Sequence, residues 1–271
     1  MNPSLMHYNL CQSITPASDL WSGKQTMKHF PVLSTLLGKL AFLLVMSAGL
    51  SVHAAEHPGY DVDPQQSRGG IGKFYMGREI SGVMGHQGAG WLERQERTHE
   101  EMPDEVVANM SLAPDEVVAD IGAGTGYFAF RIANVVPEGK VLATDIQPEM
   151  LALMEQRKQQ TGITNVETLL GQIDSPGLPA NSVDAVLLVD AYHEFSHPFE
   201  MMQGIYDALT PGGRLFLVEY RAEDDSVPIR PLHKMSVEQV VREMDVFGLI
   251  LQETLDFLPW QHMFIFTKPA Q

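Results

Sequence analysis

The stretch Val117-Val118-Ala119-Asp120-Ile121-Gly122-Ala123-Gly124-Thr125-Gly126-Tyr127-Phe128 constrains this chain more than any other. An apolar run ends in an acid, three glycines alternate with small residues, and a helical pattern follows. Such a string reads as a buried strand, a tight turn and a helix start. Glycine is needed where φ must be positive, or where a side chain would hold the backbone away from a ligand. The following helix turns free N–H groups and the positive end of its dipole into the same space.

Strand and helix patterns alternate beyond this turn. Residues 128–136 read as a helix stopped by Pro137-Glu138-Gly139, and 140–145 as a strand ending in Asp145. Pro148 opens a helix running to about residue 160, with Gly162 as its stop. Strands follow at 166–170 and 182–189, the second apolar almost throughout, as suits a strand covered on both faces. A helix at 198–209, a turn at 210–213 and a strand at 214–220 come next. Ser236-Val237-Glu238-Gln239 is a capping box for a helix ending at Gly248, and 249–256 and 261–267 close the chain as a hairpin-like pair. Upstream, Pro103 starts a helix with acids in its first turn. The hexapeptide Pro-Asp-Glu-Val-Val-Ala at 103–108 and again at 114–119 is coincidence rather than a repeat architecture. The expected fold is α/β and Rossmann-like. It has a mostly parallel seven-stranded sheet with helices on both faces and an antiparallel C-terminal strand.

The spacing Gly122-x-Gly124-x-Gly126 with Asp120 ahead differs from the G-x-G-x-x-G of dinucleotide-binding loops. Together with the closing strand pair it resembles the class I S-adenosylmethionine (SAM) methyltransferases, over roughly residues 100–267. The resemblance implies SAM as cofactor and a small-molecule methyl acceptor. Gly122, Ala123, Gly124 and Gly126 would pass beneath the methionine part, and Asp120 would hold the loop or the amino group. Asp145, with Ile146 beside it, would take the ribose hydroxyls. Gln172, Ile173 or Asp174 would lie by the adenine, where the family often has Gly-Asp. The loop 189–197 would face the methyl group, with Asp190 and Tyr192 on the sulfonium side and His193 as general base. The alternative is that these polar residues only tie the loop to its neighbours. The loop lacks the Asn/Asp-Pro-Pro-Tyr of amine and nucleobase methyltransferases. Glu219-Tyr220-Arg221, the 231–235 segment with His233, and the 259–262 segment with His262 are expected to converge above the sheet.

His193-Glu194-Phe195-Ser196-His197 also matches the H-E-x-x-H zinc protease motif, making a zinc hydrolase a further reading. That chemistry needs both histidines on one helix, and Pro198 biases His197 away from helical geometry. No metal site is therefore expected. The single cysteine, Cys11, excludes an intramolecular disulfide and a cysteine-based zinc site. A net charge of −16 opposes a nucleic-acid substrate.

Residues 27–55 carry a basic start, a short apolar core and a Val-His-Ala end, the pattern of a secretory signal peptide. Met27 is then the expected start, and the domain is exported, periplasmic, touching a membrane only through the signal or an uncleaved anchor. The expected organisation is a signal region at 1–55, a lead-in and possible lid at 56–101, rich in glycine and read as flexible and irregular over 56–75, and the methyltransferase domain at 102–271. Export would separate such an enzyme from cytoplasmic SAM, so a non-catalytic SAM- or nucleoside-binding protein is the second reading.

Overall fold

The computed structural model describes residues 57–270, so the export signal, Met27 and Cys11 lie outside the described residues. Among the described residues no helix is long and apolar enough to cross a membrane.

The lead-in, expected to be irregular, forms a small antiparallel sheet in the order β1 (Tyr60–Val62), β2 (Gly70–Tyr75), β3 (Arg78–Ser81). Its hairpin is made by Met76-Gly77, both at positive φ (50° and 87°), between the paired residues Tyr75 and Arg78. A two-residue loop with both residues left-handed matches the twist of the flanking strands. Tyr75 and Ile80 are fully buried and give this sheet its inner face. One-turn helices α1 (Ala89–Leu92) and α2 (Arg97–Glu100) and the longer α3 (Pro103–Asn109) then lead to the main sheet.

The main domain continues through β4 (Val117–Ile121), α4 (Ala129–Val135), β5 (Lys140–Asp145), α5 (Pro148–Thr161), β6 (Val166–Leu170) and β7 (Val183–Val189). It ends with α6 (Pro198–Ala208), β8 (Leu209–Arg221), the two-residue β9 (Lys234–Met235), α7 (Val237–Asp245), β10 (Ile250–Leu255) and β11 (Gln261–Thr267). The strand order is β10-β11-β8-β7-β4-β5-β6, with β9 paired to β8. All pairings are parallel except those of β11 with β8 and β10. The residues 210–213, expected as a turn, belong to β8. The register slips between Val183 and Ala185, and Gly212 at φ 79° lets the strand continue. Such a slip is a bulge, which bends a strand without ending it.

Alternate residues of the parallel strands fill two cores, as the period of two requires. Val118, Val141, Ala185, Leu187 and Phe216 pack toward α3 and α4. Ala119, Ile121, Val186, Leu188 and Leu217 pack toward α6 and α7, against Met202, Ile205, Val240 and Met244. The chain leaves β4 toward β5 on one side, while β7 lies on the other. In a sheet of this kind that reversal opens a crevice at the carboxyl ends of the strands.

Candidate active site

The glycine turn lies at this crevice, at the end of β4. Gly122, Gly124 and Gly126 have φ of 71°, 56° and 79°. A Cβ on Gly122 would stand 2.9 Å from Cβ of Ala191, and one on Gly124 would stand 2.8 Å from Leu92 Cδ1. The backbone therefore threads between the loop after β7 and the last residue of α1. The N–H groups of Gly122 and Ala123 both donate to the Thr144 carbonyl at 2.9 Å. Asp145, at the end of β5, is fixed from two directions: the Gly124 N–H donates to Oδ2 (3.0 Å) and the Gln147 N–H to Oδ1 (2.8 Å). Each carboxylate oxygen keeps a lone pair for a ligand. Burial raises its pKa against the pull of these bonds.

A cavity of about 680 Å³ runs from this turn to the loop after β7. Of the expected cofactor residues, Gly122, Gly124, Asp145, Ile146, Gln172, Ile173 and Asp190 line it. The remaining ones do not reach it. Asp120 sits behind the turn, 3% exposed, where the Ala129 N–H bonds it and burial pushes its pKa up to about 7. Ala123 belongs to the core, and Gly126 faces Phe130 and Met154. Asp174 is exposed and points away. One wall comes from the segment after β3, through Val83, Met84, Trp91 and Leu92. Gln147 holds this wall down, accepting from the His86 N–H (2.6 Å) and donating to the Met84 carbonyl (3.0 Å). Arg97 reaches the same cavity, its Nε on Glu101 (2.6 Å) and its guanidinium stacked 4.2 Å over the Tyr127 ring.

The far end is built by the loop after β7. Asp190 lines the cavity with a positive φ of 50°, a strained setting for a residue other than glycine. Its Oδ2 accepts from Gln261 Nε2 (2.8 Å), and its buried Oδ1 has no partner among the described residues. Burial, with Glu101 and Glu219 nearby, holds its carboxyl well above the usual range. Tyr192, expected on the sulfonium side, is instead fully buried and does not line the cavity. Its hydroxyl donates to Glu243 (2.6 Å), because the one-turn helix Tyr192–Glu194 turns it inward. His193 does line the cavity. Its Nδ1 lies 2.6 Å from Glu219 Oε2 and its Nε2 lies 2.9 Å from Nδ1 of His233. Burial pushes His193 down to about 3 and Glu219 up to about 8.

The protease match does not form its geometry. The helix holding His193 ends at Glu194, Phe195 is extended, and His197 turns aside to Ser196 Oγ (3.0 Å). The residue that meets His193 is His233, from the turn before β9. Of the segments expected to converge, Glu219 and His233 meet at His193 and Gln261 meets Asp190. His262 instead points to Asp256 (2.6 Å). Arg97 and Gln147 carried no distinguishing sequence signal, since an arginine in an acidic helix and a glutamine ahead of a proline are ordinary surface residues.

A model of the methyltransferase-domain family matches residues 112–260. The chain belongs to this family, and S-adenosylmethionine is the cofactor that family and fold indicate. Over 106 residues it is 31% identical to an arsenite methyltransferase of Halobacterium salinarum, covering 39% of this chain and 27% of that protein. Over 105 residues it is 30% identical to the ubiquinone/menaquinone biosynthesis C-methyltransferase UbiE of Pseudomonas putida, covering 38% and 41%. The chain thus spans less than half the length of the curated relatives it matches. Among solved structures, a SAM-dependent methyltransferase from Aquifex aeolicus superposes with a TM-score of 0.65 at 22% identity, over 68% of this chain and 99% of that one. The residues present fit the cofactor: a side-chain-free cradle at Gly122 and Gly124, a fixed carboxylate at Asp145, and an unpartnered oxygen on Asp190 facing where a cationic ligand group would be welcome.

Proposed function

We propose that the protein transfers a methyl group from SAM to a small-molecule acceptor, and that it does so outside the cytoplasm, after export by the 27–55 signal. The observation that carries this reading is one cavity with two chemically different ends. The glycine turn and Asp145 form a ligand cradle, and the His193–His233 pair forms a polar terminus. A volume of about 680 Å³ suits a cofactor and a compact acceptor together. SAM would supply a sulfonium methyl carbon open to attack by an acceptor lone pair, the C–S electron pair returning to sulfur as the thioether leaves. The protein's share is positioning. Asp145 orients the ribose, and Arg97 offers a positive charge for the carboxylate of the methionine part. The loop after β7, wedged against Gly122 through Ala191, fixes the distance between the two ends. The His193–His233 pair handles the proton that an O–H, N–H or S–H acceptor must lose.

Calorimetric titration of SAM into the full chain tests the reading, with Asp145→Ala as comparison. The wild-type protein is expected to bind, and the variant to bind about tenfold to a hundredfold more weakly. This follows because an Asp145 deletion also frees the Gly124 N–H that shapes the cradle. A folded wild-type protein that does not bind SAM would sink the proposal.

A further inference from the structure

Three ligating atoms from two separate turns converge at the polar end of the cavity. His193 Nε2 lies 2.9 Å from His233 Nδ1. Glu194 Oε1 lies 3.9 Å from the first and 3.4 Å from the second. The point equidistant from these three atoms is about 2.0 Å from each, the bond length of a first-row divalent ion to imidazole nitrogen and carboxylate oxygen.

The surroundings have the features a metal site requires. Glu219, fully buried, sits 2.6 Å from His193 Nδ1, so that ring is fixed with Nε2 turned to the cluster. This carboxylate–histidine arrangement is the usual support behind a metal-bound imidazole. Glu194 is held from its other side, its Oε2 accepting from the Met84 N–H at 3.1 Å. Among the described residues no lysine or arginine side chain is bonded to the three ligating atoms; Arg78 donates to the His193 carbonyl (3.3 Å), on the backbone side. His193, Glu194 and His233 all line the cavity, so the remaining coordination positions open onto the space where an acceptor would enter.

We propose that His193, His233 and Glu194 bind one divalent transition-metal ion, with Glu219 positioning His193 behind it. Two imidazoles and one carboxylate select zinc, iron, cobalt or manganese over magnesium or calcium, which prefer all-oxygen sites. With the ion bound, its open positions would hold a heteroatom of the acceptor and lower the pKa of its O–H, N–H or S–H group, and the proton would pass to solvent at the cavity mouth in place of direct transfer to the two imidazoles. Metal binding stands by itself; only this role at the acceptor rests on the methyl-transfer reading.

The test uses the full chain without a histidine tag, stripped with chelator and titrated with Zn²⁺ and with Co²⁺. Bound metal is read by elemental analysis and by the visible absorption of cobalt. One ion per chain is expected in the wild-type protein and in His197→Ala, with loss in His233→Ala. Glu219→Gln is expected to keep the ion about tenfold to a hundredfold more weakly. Should His233→Ala fail to fold, His233→Gln replaces it, since that position is partly exposed. No stoichiometric metal in the folded wild-type protein would overturn the proposal, and so would binding that survives His233→Ala or disappears in His197→Ala. Calorimetry with SAM on the same samples separates the two readings. SAM binding without metal removes only the metal site, and metal without SAM binding removes only methyl transfer.

Discussion

The small N-terminal sheet is tied to the site by one buried ion pair, and breaking that pair should be costly. Arg78 Nε and Nη2 donate to the two oxygens of Glu243 at 2.8 and 3.0 Å, and Nη1 donates to the His193 carbonyl at 3.3 Å. Glu243 is fully buried, and Arg78 keeps only 10% of its side chain exposed. Replacing Arg78 by Met leaves a buried carboxylate without its cation, a change that typically costs about 3–5 kcal/mol. Tyr192 and Gln239 still donate to Glu243, at 2.6 and 2.5 Å, so the low end, about 3 kcal/mol, is expected. For a chain of this size that lowers Tm by roughly 6–12 °C. Replacing both residues, Arg78→Met with Glu243→Met, removes the unpaired charge as well, so the double variant should be more stable than the sum of the single losses by at least about 1 kcal/mol. Urea unfolding of the four proteins measures this directly. Additive losses, or an Arg78→Met loss under about 1 kcal/mol, would refute the claim that this pair is desolvated and coupled.

Two further outcomes follow from local geometry. A Cβ on Gly139 would stand 2.0 Å from the Glu116 carbonyl oxygen, a backbone atom that cannot move without dragging β4, so Gly139→Ala should yield little folded protein. Gly162, at the end of α5 with φ 72° and nothing within 4 Å, should cost only about 1 kcal/mol as alanine, and comparative thermal melts separate the two. Asp120 provides a pH dependence. Its folded pKa, pushed up to about 7 from an ordinary 3.8, means the folded state binds more protons between those values. Its contribution is therefore fully present below pH 4 and is lost as pH rises through about 7, a loss of at most about 4 kcal/mol. Asp120→Asn should flatten that part of the stability profile, measured by urea unfolding at pH 4, 5.5 and 7; a parallel profile would show that Asp120 does not titrate in this window.

What the sequence disclosed and what it hid divide along one physical line. The glycine turn, Asp145 and the Ser236 cap, whose hydroxyl accepts from the Gln239 N–H at 3.1 Å, are local: chain neighbours alone determine them. So are the parallel strands, whose apolar runs follow from burial on both faces. The N-terminal sheet was missed because its glycines suggested flexibility, whereas Met76-Gly77 makes a tight hairpin and Tyr75 anchors it in the fold. In the loop after β7, Asp190 and His193 line the cavity and Tyr192 does not, for a related reason. Tyr192 and His193 are adjacent, yet a one-turn helix sends the first to Glu243 and the second to Glu219 and His233. Which neighbour faces the cavity depends on partners 26 to 51 residues away, which no local pattern encodes. The same argument separates His197 from His233. The first stood at motif spacing and turned away. The second, 40 residues on, met His193 because β8 and the turn before β9 return the chain to the carboxyl end of β7. In this sheet the polar end of the cavity is assembled by topology, so its chemistry is legible only once the strand order is known.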